Sequence, residues 1–231
     1  MSSSAEPLAL AVHDVAFLHW AVPAEQLREL LPPGTTPDVW DGSAYLGLVA
    51  LRMVGVRPVG GPALPYLSTF PQVNVRTYVR DAEGRPGLIF LSMAASRLVP
   101  VLCGRLTLGL PYRWARVRVE HRAGLHAYDV TGRNESNERV ALRIGQRVVE
   151  PSPLMTFLTE RSALYQHFGG WTYRLANSHP PWPLYEAEAA DAGANLAQEA
   201  VGGPPRLGAP VSALWSPGVR MRFGLPQRLR S

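Results

Sequence analysis

Polar and apolar residues alternate along much of this chain in short runs, and Pro and Gly cut the runs apart. The clearest run is Phe70 to Arg80. Gln72, Asn74, Arg76, Tyr78 and Arg80 share one face of an extended segment, and Val73, Val75, Thr77 and Val79 share the other. Asp81 to Gly87 supplies turn residues, and Leu88 to Ala95 is almost all apolar. The two runs predict a hairpin whose second strand is buried on both faces. A strand is expected over 44–53, others over 105–108 and 115–121, and a second hairpin pairs 126–130 with 139–148 across a polar loop, 131–138. Trp171 to Leu175 reads as a strand. Ser212 to Phe223 offers one or two closing strands around Ser216-Pro-Gly218.

Helical spacing is rarer. Pro23 is tolerated at a first helical turn, and Leu27, Leu30 and Leu31 form an apolar stripe that Pro32-Pro33-Gly34 ends. Ser152 is a good N-cap with Pro153 behind it, and Leu154, Phe157, Leu158 and Tyr165 share one side, so the helix is expected to run to about Gln166. Arg57 to Ser68 reads as a loop over a site, His179 to Leu184 as a stiff turn, and 192–203 as the least ordered part. Neither a repeat nor a composition shift divides the chain. The expectation is a single domain over 1–231, with 1–10 a loose terminus. It is mainly β, built of antiparallel strands with two or three helices packed outside.

Composition narrows the function classes. The 231 residues are 46% apolar, enough for one sizeable core. No run reaches the ~18 apolar residues of a membrane span, and the first residues lack a basic leader, so the reading is a cytoplasmic protein without membrane contact. The net charge is +5, and all 23 basic residues are arginine. They are scattered; the tightest group is Arg113, Arg116, Arg118 and Arg122, so nucleic-acid binding is not favoured. With no lysine, no side chain can form a Schiff base. Cys103 cannot form an internal disulfide and reads as a small buried hydrophobe. The six histidines show no H-x-x-x-H or H-x-H pair, so neither a metal nor a cofactor is expected. No nucleophile elbow or phosphate-binding loop appears, and Gly55 to Gly61 lacks the helix a dinucleotide loop needs. Asn134-Glu-Ser136 fits a glycosylation sequon, which a cytoplasmic setting makes irrelevant.

An ordered set of motifs carries a resemblance. Phe17-Leu-His-Trp20, Val22-Pro23, Leu30-Leu-Pro32, Asn74-Val-Arg-Thr-Tyr-Val79, Gly87-Leu-Ile-Phe-Leu-Ser92, Leu110-Pro-Tyr112, Phe157-Leu-Thr-Glu-Arg161, His179-Pro-Pro-Trp-Pro-Leu184 and Ser216-Pro-Gly218 follow one another over nearly the whole chain. Together they resemble the DUF2071 (YqjF-like) family, which is similar to acetoacetate decarboxylase. The resemblance implies a closed, cone-like β-barrel with a central cavity. It also implies that Leu110-Pro-Tyr-Arg-Trp-Ala115 occupies the place of the decarboxylase's Pro-Lys-Lys step. Tyr112 then stands where the Schiff-base lysine stands, and Arg113 where its neighbour stands. Gln72 replaces a Glu common in the family, and Ala94 replaces an Asp, so two acids are missing from the implied cavity.

The candidate site follows. Arg76 is expected to hold a carboxylate in bidentate fashion, with Gln72 and Asn74 beside it. Ser92 and His19 are further substrate-binding candidates, and Tyr112 and Arg113 are the catalytic candidates. Alternation alone leaves the inward face of 72–80 open: the same face can lie in solvent, or Arg76 can make a structural ion pair. The expected partner is a small molecule, a carboxylate in the leading reading. Whether the chain is a lyase-, hydratase- or cyclase-like enzyme or a non-catalytic binder stays open, as does homo-oligomer formation.

Overall fold

The computed structural model describes residues 7–58, 61–62, 68–132, 137–203 and 207–229. Among them, thirteen strands form one continuous sheet. Seven of these, numbered in chain order, close a ring: β1 (Leu8–Val22), β3 (Ala44–Pro58), β4 (Phe70–Asp81), β5 (Pro86–Ala95), β10 (Ala163–Phe168), β11 (Trp171–Ser178) and β13 (Ser212–Arg228), with β13 returning to β1. Every pairing in the ring is antiparallel except β5 with β10. From β13 the sheet continues outward through β12 (Tyr185–Ala192), β9 (Asn137–Arg147), β8 (Leu125–Thr131) and β7 (Arg116–Arg122). Short β2 (Thr35–Pro37) and β6 (Tyr112–Trp114) add to β4 and β5. The helices are α1 (Ala24–Arg28), α2 (Leu98–Leu108), α3 (Pro153–Thr159) and α4 (Ala194–Ala200). The β-rich closed barrel expected from the motifs is therefore the fold, with one parallel pairing in its ring and four helices among the described residues where two or three are expected.

The outer sheet explains a pattern the sequence left ambiguous. Val73 and Val75 of β4 leave the barrel and join Leu18, Leu46, Leu48, Tyr128, Val140, Leu142 and Leu196 in a core shared with β8, β9 and α4. Both faces of β4 are therefore covered, and its polar face is the inner one. A bulge resets β1 in the same way. Two residues, Asp14 and Val15, stand in the register where β3 offers Leu51 alone, and Asp14 takes φ 55°. Leu10 and Val12 before the bulge and Val15 and Phe17 after it all face the barrel interior, while Ala16, Leu18 and Trp20 face the second core. Gly218 on β13 sits against this bulge; a Cβ there would fall 1.8 Å from the Val12 carbonyl oxygen.

Several local expectations fail for physical reasons, and α1 stops at Arg28, short of Leu30 and Leu31. Residues 105–108 belong to α2, not to a strand. Pro100 lies in its first turn, and Gly109, at φ 61°, ends it by donating to the Arg105 carbonyl. The helix from Ser152 keeps its cap, since Ser152 Oγ accepts from the Met155 amide, but it stops at Thr159. Residues 163–168 instead extend as β10, with Leu164 inside the barrel and Tyr165 outside, its hydroxyl donating to Asp81. The stretch expected to be least ordered contains α4, whose Leu196 and Ala197 are buried in the second core. Cys103 is exposed rather than buried, because α2 lies across the barrel mouth and presents it there. Residues 8–10 of the expected loose terminus and 57–58 of the expected loop are strand, held by the pairing of β1 with β3 and β13, whereas residues 59–60 and 63–67 of that loop, residues 1–6 and the 134–136 sequon lie outside the described residues.

Candidate functional site

The barrel encloses a cavity of about 370 Å³ to which all seven ring strands contribute. Its wall is chiefly aliphatic and aromatic, including Val12, Phe17, Leu51, Phe70, Phe90 and Phe223. Gln72, Asn74 and Arg76 project into it from β4 as successive inward residues, and Tyr112 enters from β6. The Tyr112 hydroxyl donates to Gln72 Oε1 at 2.8 Å, and burial pushes this phenol well above its ordinary pKa. The Tyr112 phenol is thus held neutral, with its proton already engaged by Gln72.

The polar end is cationic. Arg76 Nε and Nη2 are buried and have no hydrogen-bond partner, and its guanidinium lies 5.6 Å from the Phe17 ring centroid. Gly47 of β3 pairs with both His19 and Arg76 on its two neighbouring strands. A Cβ at Gly47 would lie 3.1 Å from the Tyr78 hydroxyl, 3.2 Å from His19 Cδ2 and 3.4 Å from Arg76 Cγ. The missing side chain is what lets these three groups meet. His19 is fully buried, and neither ring nitrogen has a partner. Burial, reinforced by Arg76, holds its pKa well below the ordinary histidine value. Burial also raises the Tyr78 phenol, against the pull of Arg76 and Arg161, and its hydroxyl donates to the Leu158 carbonyl.

Arg161 also reaches the cavity but is tied down. Its Nη1 donates to Asp38 Oδ2 at 2.6 Å and its Nε to the Phe157 carbonyl at 2.8 Å, and the guanidinium stacks on Phe157 at 4.1 Å. Asp38, itself buried, also receives Arg80 Nε at 2.6 Å. Asn74 Oδ1 and Asn177 Oδ1 are buried without partners.

Of the residues singled out from sequence, Gln72, Asn74, Arg76 and Tyr112 share the cavity, and His19 packs behind Arg76. Arg113 and Ser92 do not reach it. Alternation along β6 turns Arg113 away from the side Tyr112 faces, and Arg113 Nη2 donates to Ser92 Oγ at 2.9 Å on the barrel's outside. Sequence reasoning missed Arg161, Asn177 and Tyr78. Tyr78 stood on the correct face of the β4 pattern. Arg161 stands in the Phe157-Leu-Thr-Glu-Arg161 motif, but the helical spacing expected over it hides its direction.

The architecture is that of the acetoacetate-decarboxylase-like proteins. An acetoacetate-decarboxylase-like enzyme from Sphingomonas wittichii RW1 superposes with a TM-score of 0.70, at 14% identity, over 98% of this chain and 94% of that one. The enduracididine biosynthesis enzyme MppR complexed with pyruvate gives 0.68 at 14% identity, over 100% and 92%. Acetoacetate decarboxylase from Legionella pneumophila gives 0.69 at 11% identity, over 100% and 90%. Within this fold the chain belongs to the DUF2071 family, described as an uncharacterized conserved protein, whose model matches residues 10–220. The uncharacterized protein YqjF of Bacillus subtilis (strain 168) is 31% identical over 183 residues, covering 77% of this chain and 74% of the relative. No helix among the described residues is long and apolar enough to cross a membrane.

Proposed function

We propose that this chain binds a small carboxylic acid inside its barrel, with the carboxylate on Arg76 and an apolar body along the wall. One observation carries the reading: the two nitrogens of Arg76 that lack partners, Nε and Nη2, lie on the same edge of the guanidinium. That edge presents two parallel N–H donors at the spacing of a carboxylate's two oxygens. Each buried donor left unmade costs about 1–3 kcal/mol, so an anion that engages both gains more here than in water. The volume suits a small metabolite rather than a polymer. The pyruvate bound to MppR, a protein of the same fold, supports a small keto acid as the ligand class. Imine chemistry on such an acid is closed to the side chains of this sequence, which has no lysine.

A second reading, proton transfer on the bound acid, is favoured by His19. It is a neutral imidazole with both nitrogens unengaged, packed beside the arginine that holds the carboxylate. Exchange of solvent deuterium into pyruvate, lost in His19→Gln, is its expected signature. No exchange above the buffer rate removes the catalytic reading.

Titration calorimetry with pyruvate, acetoacetate and hexanoate tests the binding itself. At least one is expected to bind saturably, and Arg76→Met is expected to weaken it about 100-fold, the loss of a charge-assisted double hydrogen bond. Absence of binding across the three acids, or equal binding by Arg76→Met, overturns the proposal.

A further inference from the structure

A second group of chemically able side chains lies outside the barrel, away from the cavity. The hairpin of β7 and β8 turns through Ala123 and Gly124, both at positive φ, 42° and 80°. This two-residue turn fixes Arg122 opposite Leu125 and therefore His121 opposite His126. The pair beyond such a turn is not hydrogen-bonded, so its side chains come closest, and the two imidazole centroids stand 4.2 Å apart. In sequence the two histidines are separated by four residues, a spacing that looks like nothing until the turn folds them together.

The third member comes from β1. At the bulge, Asp14 adopts a left-handed conformation that costs a non-glycine residue about 1 kcal/mol or more. Tyr128, two residues beyond His126 on β8, donates its hydroxyl to the Asp14 carbonyl and ties the bulge to the hairpin. The side chain of Asp14 is thereby delivered to the histidines. One donor atom from each of Asp14, His121 and His126 lies within 4.8 Å of the other two. His126 Nδ1 is buried without a hydrogen-bond partner, and Asp14 Oδ2 is buried with Arg52 as its ion-pair neighbour. Trp215 packs edge-on against His126 at 5.0 Å.

We propose that Asp14, His121 and His126 form a binding site for a transition-metal dication of the zinc type. Two imidazoles and one carboxylate are the donors such an ion prefers, and three protein ligands leave a fourth position for water or an exogenous anion. Tetrahedral bonds of about 2.0–2.1 Å separate ligand atoms by about 3.4 Å, so the three groups close by about an ångström on binding. His121 is exposed and free to rotate toward the others. One cation opposes the metal: Arg52 Nη2 stands 3.1 Å from Asp14 Oδ2. Arg52 is half-exposed and can swing into solvent when the metal enters.

The test uses the full chain, stripped with chelator, and titrates Zn²⁺ by calorimetry and Co²⁺ by visible absorption. One Zn²⁺ per chain is expected, with Co²⁺ giving the intense d–d bands of a four-coordinate site. His121→Ala and His126→Ala are each expected to weaken Zn²⁺ at least about 100-fold, since removing even a ligand's supporting partner costs about 10–100-fold. Asp14→Asn keeps a residue that tolerates the left-handed region and removes the charge, and should also weaken binding. Arg52→Ala removes the competing cation and should tighten binding several-fold, an effect a merely structural cluster would not show. Less than one equivalent of Zn²⁺, or binding that both histidine variants leave unchanged while their metal-free circular dichroism matches the parent, overturns the proposal.

Discussion

Two arginines reach the same cavity and are treated in opposite ways. Arg161 is held on three sides, by Asp38, the Phe157 carbonyl and an aromatic ring, and only its Nη2 is left without a partner. Arg76 rests on Phe17 and keeps two donors on one edge without partners. Both carry the same side chain in the same low-dielectric space, so the difference lies in what surrounds them. An arginine supplied with its own acid is a structural member, whereas one placed beside a neutral histidine and given no acid is, in our proposal, arranged for an anion from outside.

This contrast can be broken or sharpened by substitution. The largest effect is expected from Asp38→Ala, which leaves Arg161 buried without its carboxylate and releases Arg80. Urea unfolding should register a loss of about 3–5 kcal/mol, the range for breaking a buried ion pair from one side. Arg161→Met should cost somewhat less, about 3 kcal/mol, because Asp38 keeps Arg80. Tyr112→Phe removes the bond to Gln72 and strands a buried amide oxygen, for an expected loss of about 1–2 kcal/mol at the thermal midpoint.

A smaller, pH-dependent effect comes from His19. Its folded pKa lies below the unfolded one, so the unfolded chain binds more protons as pH falls through about 6.5. Stability is therefore complete above that value and declines below it, by up to about 1.4 kcal/mol per pH unit from this group. Urea midpoints at pH 7.5 and 5.5 should show the slope, and His19→Gln should flatten it. Arg76→Met should change ligand-free stability least, or raise it slightly, since it replaces a buried cation with no acid partner by an apolar side chain. Equal losses for Arg76→Met and Arg161→Met would erase the distinction between them.

The strand that carries Arg76 was legible as a strand from its period of two, and the barrel from the ordered motifs. The direction of its polar face was not. That direction is set by Val73 and Val75 meeting Tyr128 of β8, Leu142 of β9 and Leu196 of α4, all far away in sequence. Parity decides the other outcomes as well. Tyr112 and Arg113 are adjacent in sequence and point to opposite sides of the barrel wall, so a motif that names both can place only one in the cavity. Tyr165 continues the apolar stripe of Leu154, Phe157 and Leu158, but pairing of residues 163–168 with β5 and β11 outweighs that local preference. The motif around His19 says nothing of its environment, because Gly47, which makes room for it, belongs to the neighbouring strand β3.

The seam between β1 and β13 has a consequence for biosynthesis. The ring is completed by the pairing of residues 8–19 with 212–223. During translation the first strand therefore leaves the ribosome long before its permanent neighbour exists, with one edge of its backbone unpaired on that side. Such an edge invites pairing with other nascent chains, and closure of so distant a pair is slow. Assembly of this container must await its last stave.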